Sequence, residues 1–140
     1  MAIAAKYRNT GRQWPLVAVQ KYDYTELENG VAIDAIKIPT GCRITRLVNL
    51  IETAWDGTTP TLDVGDSTTG DLFLDGVDID TNGDLDVADI AATSGFAKYT
   101  APTYITLTLN VTGTPSQGAG VLIVEYIADE KSREVVPDYG

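Results

Sequence analysis

Between residues 14 and 128 the chain is a succession of short segments whose side chains alternate with a period of two, each ended by Gly, Pro, Asn or Asp. That pattern confines the fold to strands, because successive side chains of a strand point to opposite faces of its sheet while a helix repeats every 3.6 residues. In YITLTLNV (104–111), Tyr104, Thr106, Thr108 and Asn110 share one face and Ile105, Leu107, Leu109 and Val111 the other. VLIVEYIA (121–128) is apolar almost throughout, as a central strand is. The intervening TGTPSQGAG has the glycines and proline of a long hairpin loop. WPLVAVQKY (14–22), VAIDAIKI (31–38), CRITRLVNLIET (42–53), TLDVGD (61–66) and DLFLDGVDI (71–79) add further runs. The third of these becomes apolar on both faces from Leu47 to Ile51, the pattern of a strand passing from an edge into a core.

Seven or eight such runs at intervals of about 8 to 15 residues predict an all-β fold, an antiparallel β-sandwich that is jelly-roll-like. At most one short helix is expected, within DVADIAATSGF (86–96), where Val87, Ile90 and Ala91 share a helical face and Gly95 is a candidate end. A chain of 140 residues suffices for one core without disulfides. The sandwich is placed at 14–128, with extended terminal arms at 1–13 and 129–140.

Charge narrows the partners. Ten Lys and Arg stand against 20 Asp and Glu, a net charge of −10, which disfavours nucleic acid and anionic membrane surfaces. Residues 51–90 hold eleven acids and no base, whereas residues 1–50 hold seven bases and four acids. The basic residues Lys6, Arg8 and Arg12, followed by Trp14, make the amino-terminal arm the candidate partner-binding segment. Cys42 is alone, so a reduced compartment is expected. MAIAAKYRNTG is too short an apolar run for a signal peptide, and no stretch reaches 18 consecutive apolar residues. The expectation is a soluble protein made in the cytoplasm.

Enzymatic chemistry finds little to use. The absence of histidine removes Ser-His-Asp and Cys-His nucleophile activation and the imidazole ligands of most catalytic zinc sites. Carboxylate pairs of the glycosidase kind are numerically available, but no particular pair is singled out. The chain is therefore expected not to be an enzyme. DIDTNGDLDVADI (78–90) matches a calcium loop, with Asp78, Asp80 and Asn82 at the first, third and fifth positions, Gly83 at the sixth, the Asp84 carbonyl at the seventh and Asp89 at the twelfth. The same residues also suit a solvated Asn-Gly turn, which needs no cofactor. Trp14, Trp55, Tyr99, Tyr104 and Tyr126 fit either a sugar-binding platform or the core and rim of a sandwich. A carbohydrate-binding module with a calcium loop is accordingly the alternative function.

The order IKIPTGCRITRL, TLDVGDSTTGDLFLDGVDI, GFAKYTAPTYITLTL and VLIVEYI, over roughly residues 30 to 128, resembles small virion proteins of tailed bacteriophages: the capsid decoration, cement and minor capsid proteins. The resemblance implies a structural β-sandwich that assembles as a small homo-oligomer on the outer surface of a mature head and clamps neighbouring major capsid subunits. A homotrimer is favoured over a dimer, since capsid threefold positions select that symmetry and the apolar faces of Leu47–Ile51 and Val121–Val124 exceed the needs of one core. The calcium loop is not part of the resemblance.

Overall fold

The computed structural model describes residues 15–128 apart from 94, 95, 97 and 98. Eight strands follow one another: β1 (Leu16–Asp23), β2 (Ala32–Ile38), β3 (Cys42–Thr53), β4 (Thr58–Asp66), β5 (Leu74–Asp78), β6 (Leu85–Val87), β7 (Thr103–Thr112) and β8 (Ala119–Ala128). The pairings are nested. Leu16 lies opposite Tyr126, Ile33 opposite Leu107, Asn49 opposite Asp86 and Thr61 opposite Asp78. The chain is thus one long antiparallel hairpin whose tip is the 67–73 turn. Rolling that hairpin brings β3 against β8 and β4 against β7. Two four-stranded sheets result, in the orders β1-β8-β3-β6 and β2-β7-β4-β5. Nested pairs rolled into two facing sheets are the jelly roll, as the strand periodicity predicts.

The inner faces meet through the apolar half of each alternation. Ile38, Ile44, Leu47, Ile51, Leu62, Val64, Ile105, Leu107, Leu109, Leu122 and Val124 are almost completely buried between the sheets. Trp55 closes one end of this core, its ring centroid 6.1 Å from that of Tyr22. Gly118 (φ 148°) lies flat against the indole, where any Cβ would overlap the ring. Beneath them the Tyr22 hydroxyl donates a 2.5 Å hydrogen bond to Asn49 Oδ1 across the inner face of the first sheet. A buried Asn is otherwise costly, and this bond meets part of its demand.

Among the described residues the expected helix reduces to a 3₁₀ turn, Ile90–Ala92. The reason is β6. Val87 pairs with Val48, and the Ala88 N–H donates to the Leu47 carbonyl at 3.0 Å, so the main chain of 85–88 is committed to a ladder with β3 and is not available to a helical turn. Asp89, at the start of the turn, makes no side-chain cap. The sandwich boundaries expected at 14 and 128 adjoin the described span, and the arms at 1–13 and 129–140 lie outside it.

Candidate functional site

An antiparallel sheet with one face on the core ordinarily turns polar residues to water on the other. The sheet β2-β7-β4-β5 does so. Its outer face carries Asp34, Lys37, Tyr104, Thr108, Asn110 and Asp63. Asn110 Nδ2 donates to Asp63 Oδ2 at 3.0 Å, and the Gly76 N–H donates to Asp63 Oδ1 at 2.7 Å.

The outer face of β1-β8-β3-β6 breaks the rule. Register places Val19 beside Ile123, Ile123 beside Val48 and Val48 beside Val87, a row of β-branched residues across all four strands. The next row is Lys21, Val121, Leu50 and Leu85, and the one on the other side begins Val17, Glu125, Arg46. Val17, Val19, Leu85 and Val87 are each more than half exposed, at 59, 57, 52 and 57%. Val48 and Val121, in the middle, are buried by these neighbours. A depression of about 320 Å³, lined by Arg46, Val48, Leu85, Ile123 and Glu125, marks the centre of the field. Contiguous exposed apolar surface of this kind marks an interaction site, since burying it is favourable and leaving it in water invites association. The double-faced pattern at Leu47–Ile51 is this face and the core back to back: Leu47, Asn49 and Ile51 point inward, Val48 and Leu50 outward.

The calcium-loop residues are arranged differently from a cation cage. Asp78 ends β5, and Asp80, Asn82 and Asp89 are exposed. Gly83 takes the positive φ (79°) that the Asn-Gly turn requires. Asn82 Oδ1 accepts from the Ala54 N–H. The Gly83 N–H donates to the Ile51 carbonyl at 2.7 Å, and the Ile51 N–H donates to the Asp84 carbonyl at 2.9 Å. Two of the candidate ligand oxygens therefore already accept from main-chain donors, and the loop continues the β3–β6 ladder. Among the described residues no three His, Cys, Asp or Glu side chains are grouped to hold a metal.

This jelly roll has counterparts among solved structures. A chain of the cyanophage Pam1 capsid asymmetric unit matches with a TM-score of 0.67 at 18% identity, covering 82% of this chain and 85% of that one. A chain of the acid-stable capsid of Helicobacter pylori bacteriophage KHP30 matches at 0.60 and 13% identity, over 84% of this chain and 94% of its own. One from the capsid of Ralstonia phage GP4 matches at 0.56 and 21% identity, over 80% and 84%. The fold is that of chains found in phage capsids. No protein-family model and no curated protein matches the sequence. The likeness takes in most of both chains each time.

The remaining sequence candidates are scattered. Trp55 is in the core, and Tyr99 is half-buried and donates its hydroxyl to Asp66 Oδ2 at 2.9 Å; burial first, and Asp66 second, push that phenol above its ordinary range. Tyr126 packs on the core of one sheet, while Tyr104 lies on the outer face of the other. These aromatics form no common strip. Cys42 is buried at the start of β3. Lys6, Arg8, Arg12 and Trp14 lie outside the described residues.

Sequence reasoning missed Asp86. It sits on the inner side of β6 opposite Asn49, with Oδ2 buried and unpartnered, as is Asn49 Nδ2. Burial raises its pKa, and the nearby charges of Asp84 and Asp78 raise it further. The signal was the alternation itself, which places Asp86 between outward-facing Leu85 and Val87.

A carboxyl that is harder to ionise folded than unfolded makes the native state the tighter proton binder, so stability falls as pH rises past the ordinary Asp range. Asp86→Asn removes that penalty. The variant should melt above the wild type at pH 7, with the difference shrinking as pH falls through the raised folded-state pKa of Asp86 and gone once pH is below the ordinary Asp range. Equal melting temperatures at pH 7 would contradict this reading of Asp86.

Proposed function

We propose that this chain is a structural virion protein of a tailed phage, a decoration or cement protein that binds the outer surface of the head and stabilises it by bridging major capsid subunits. The observation that carries the reading is the jelly roll itself, whose likenesses are chains of phage capsids, and its exposed apolar sheet face is one that an assembly would cover. The role is mechanical, not enzymatic. A protein that binds only the mature arrangement of subunits lowers the free energy of that arrangement by mass action, by about 2.7 kcal/mol per site at a hundredfold excess over the dissociation constant. Joined copies that each grip a subunit gain further, because the second and third contacts are intramolecular, and avidity rises by roughly 10²–10⁴. A homotrimer at a threefold position uses that gain fully. In this proposal the basic residues Lys6, Arg8 and Arg12, with Trp14, contact the major capsid protein, and the protein is assembled onto heads in the host cytoplasm.

The test is addition of the purified protein to expanded heads of its phage that lack it. Saturable binding and a rupture temperature raised by several degrees are expected. Heads that neither bind the protein nor change their rupture temperature would overturn the assignment.

We assign the 78–89 loop to turn formation and not to calcium. The supporting feature is that Asn82 Oδ1 and the Asp84 carbonyl accept main-chain hydrogen bonds. Melting in chelator and in millimolar calcium at fixed ionic strength should differ by no more than about a degree, the scale of diffuse, screened attraction. A calcium-dependent rise of several degrees that disappears in Asp80→Ala would make the loop a cation site and revive the carbohydrate-module alternative.

A further inference from the structure

We propose that the outer face of β1-β8-β3-β6 is the surface through which copies of this chain join one another, and that the capsid is gripped elsewhere. The inference rests on the capsid reading for its biological setting and on the face itself for its physics.

Size comes first. Strands about 4.8 Å apart and rows about 7 Å apart make the two rows that span all four strands a field of on the order of 270 Å², which Val17 extends at one edge. A standard interface needs about 800 Å² from each partner, with an apolar centre and a charged rim. The field supplies the centre, and Lys21, Arg43, Arg46, Glu52 and Glu125 supply a rim.

Charge then selects the occupant. Among the described residues there are sixteen acidic side chains and four basic ones, Lys21, Lys37, Arg43 and Arg46. Three of those four lie on the strands and outward positions of this face. Elsewhere the described surface carries Lys37 alone against most of the acids, so contacts there bring mainly like charges together. Here the signs balance. Arg46 and Glu125 are direct cross-strand neighbours at the edge of the apolar rows, so each copy offers both members of a pair that a second copy complements. Val17 and Val19 on one edge strand, and Leu85 and Val87 on the other, carry the apolar surface to both margins of the sheet, which lets the face of one copy meet the flank of the next around a closed ring. A face of this apolarity also needs cover from the moment of folding, before any head is ready to provide it, and sister copies are the surface at hand.

The experiment is light scattering with sedimentation velocity on the full chain at tens of micromolar, in the absence of capsids. Wild type, Val19→Glu/Val87→Glu, Arg46→Glu and Arg46→Glu/Glu125→Arg are compared. The wild type should be an oligomer. Val19→Glu/Val87→Glu should be monomeric with a cooperative melt, since both sites are more than half exposed in the single chain. Arg46→Glu should weaken association at least tenfold, and the double charge exchange should restore most of it. Should the valine variant fail to fold, the charge exchange decides alone. A monomeric wild type, or an oligomer indifferent to all three variants, overturns the inference. A monomeric wild type that binds heads, and loses them on Val19→Glu/Val87→Glu, makes the capsid the occupant and leaves the proposed function standing. An oligomer that dissociates as described but never binds heads leaves the inference standing and removes the function.

Discussion

β8 hydrogen-bonds to β1 along one edge and to β3 along the other, and this double pairing is what converts a long hairpin into two sheets. Cys42 meets Ala128 and Thr53 meets Ala119, contacts far apart in sequence, so their loop-closure entropy must be met before the core forms. Folding of such a topology is expected to be slow relative to its size. The register also has no slack. Shifting β8 by one residue against β3 would turn Leu122 and Val124 out of the core and Ile123 into it. Bulges between Ile44 and Arg46 and between Ile51 and Thr53 let β3 bend around the core while that register is kept.

Because β8 is apolar on both faces, the same strand that closes the core also exposes Ile123 beside Val19 and Val48. Core and interface are two sides of one sheet only a strand thick. A substitution at Val124 and one at Ile123 should therefore have separable effects, the first on folding and the second on association. The opposite sheet, with Asp63, Asn110 and Gly76 satisfied among themselves, has no such second demand.

Most of the architecture is legible in the alternation. The run CRITRLVNLIET coincides with β3 at Cys42–Thr53, and β7 and β8 each extend the runs 104–111 and 121–128 by two residues. Local pattern failed where long-range pairing decides. Leu85–Val87 is three residues long and lies inside a calcium-like spacing followed by a helix-like one; only its alignment with Val48–Leu50 makes it a strand. The Asp-Asn-Gly motif is a statement about ligand order, and the ligands' other obligations, to Ala54 and Ile51, are invisible in one dimension. The excess of apolar residues at Leu47–Ile51 was visible. Its division into an inward and an outward set required knowing that no further layer of this chain covers Val48 and Leu50 among the described residues.

The proposed role joins these features: a jelly roll of a kind found in phage capsids, one sheet polar on its outer face, the other offering an apolar face with balanced charge at its rim. What unites them is the claim that this face is covered in the working assembly. Cryo-electron microscopy of particles carrying the protein tests that claim most directly. The expected map buries Val17, Val19, Leu85 and Val87 against another polypeptide and turns the Asp63–Asn110 face to solvent; a map in which those four side chains face water on an intact head would contradict it.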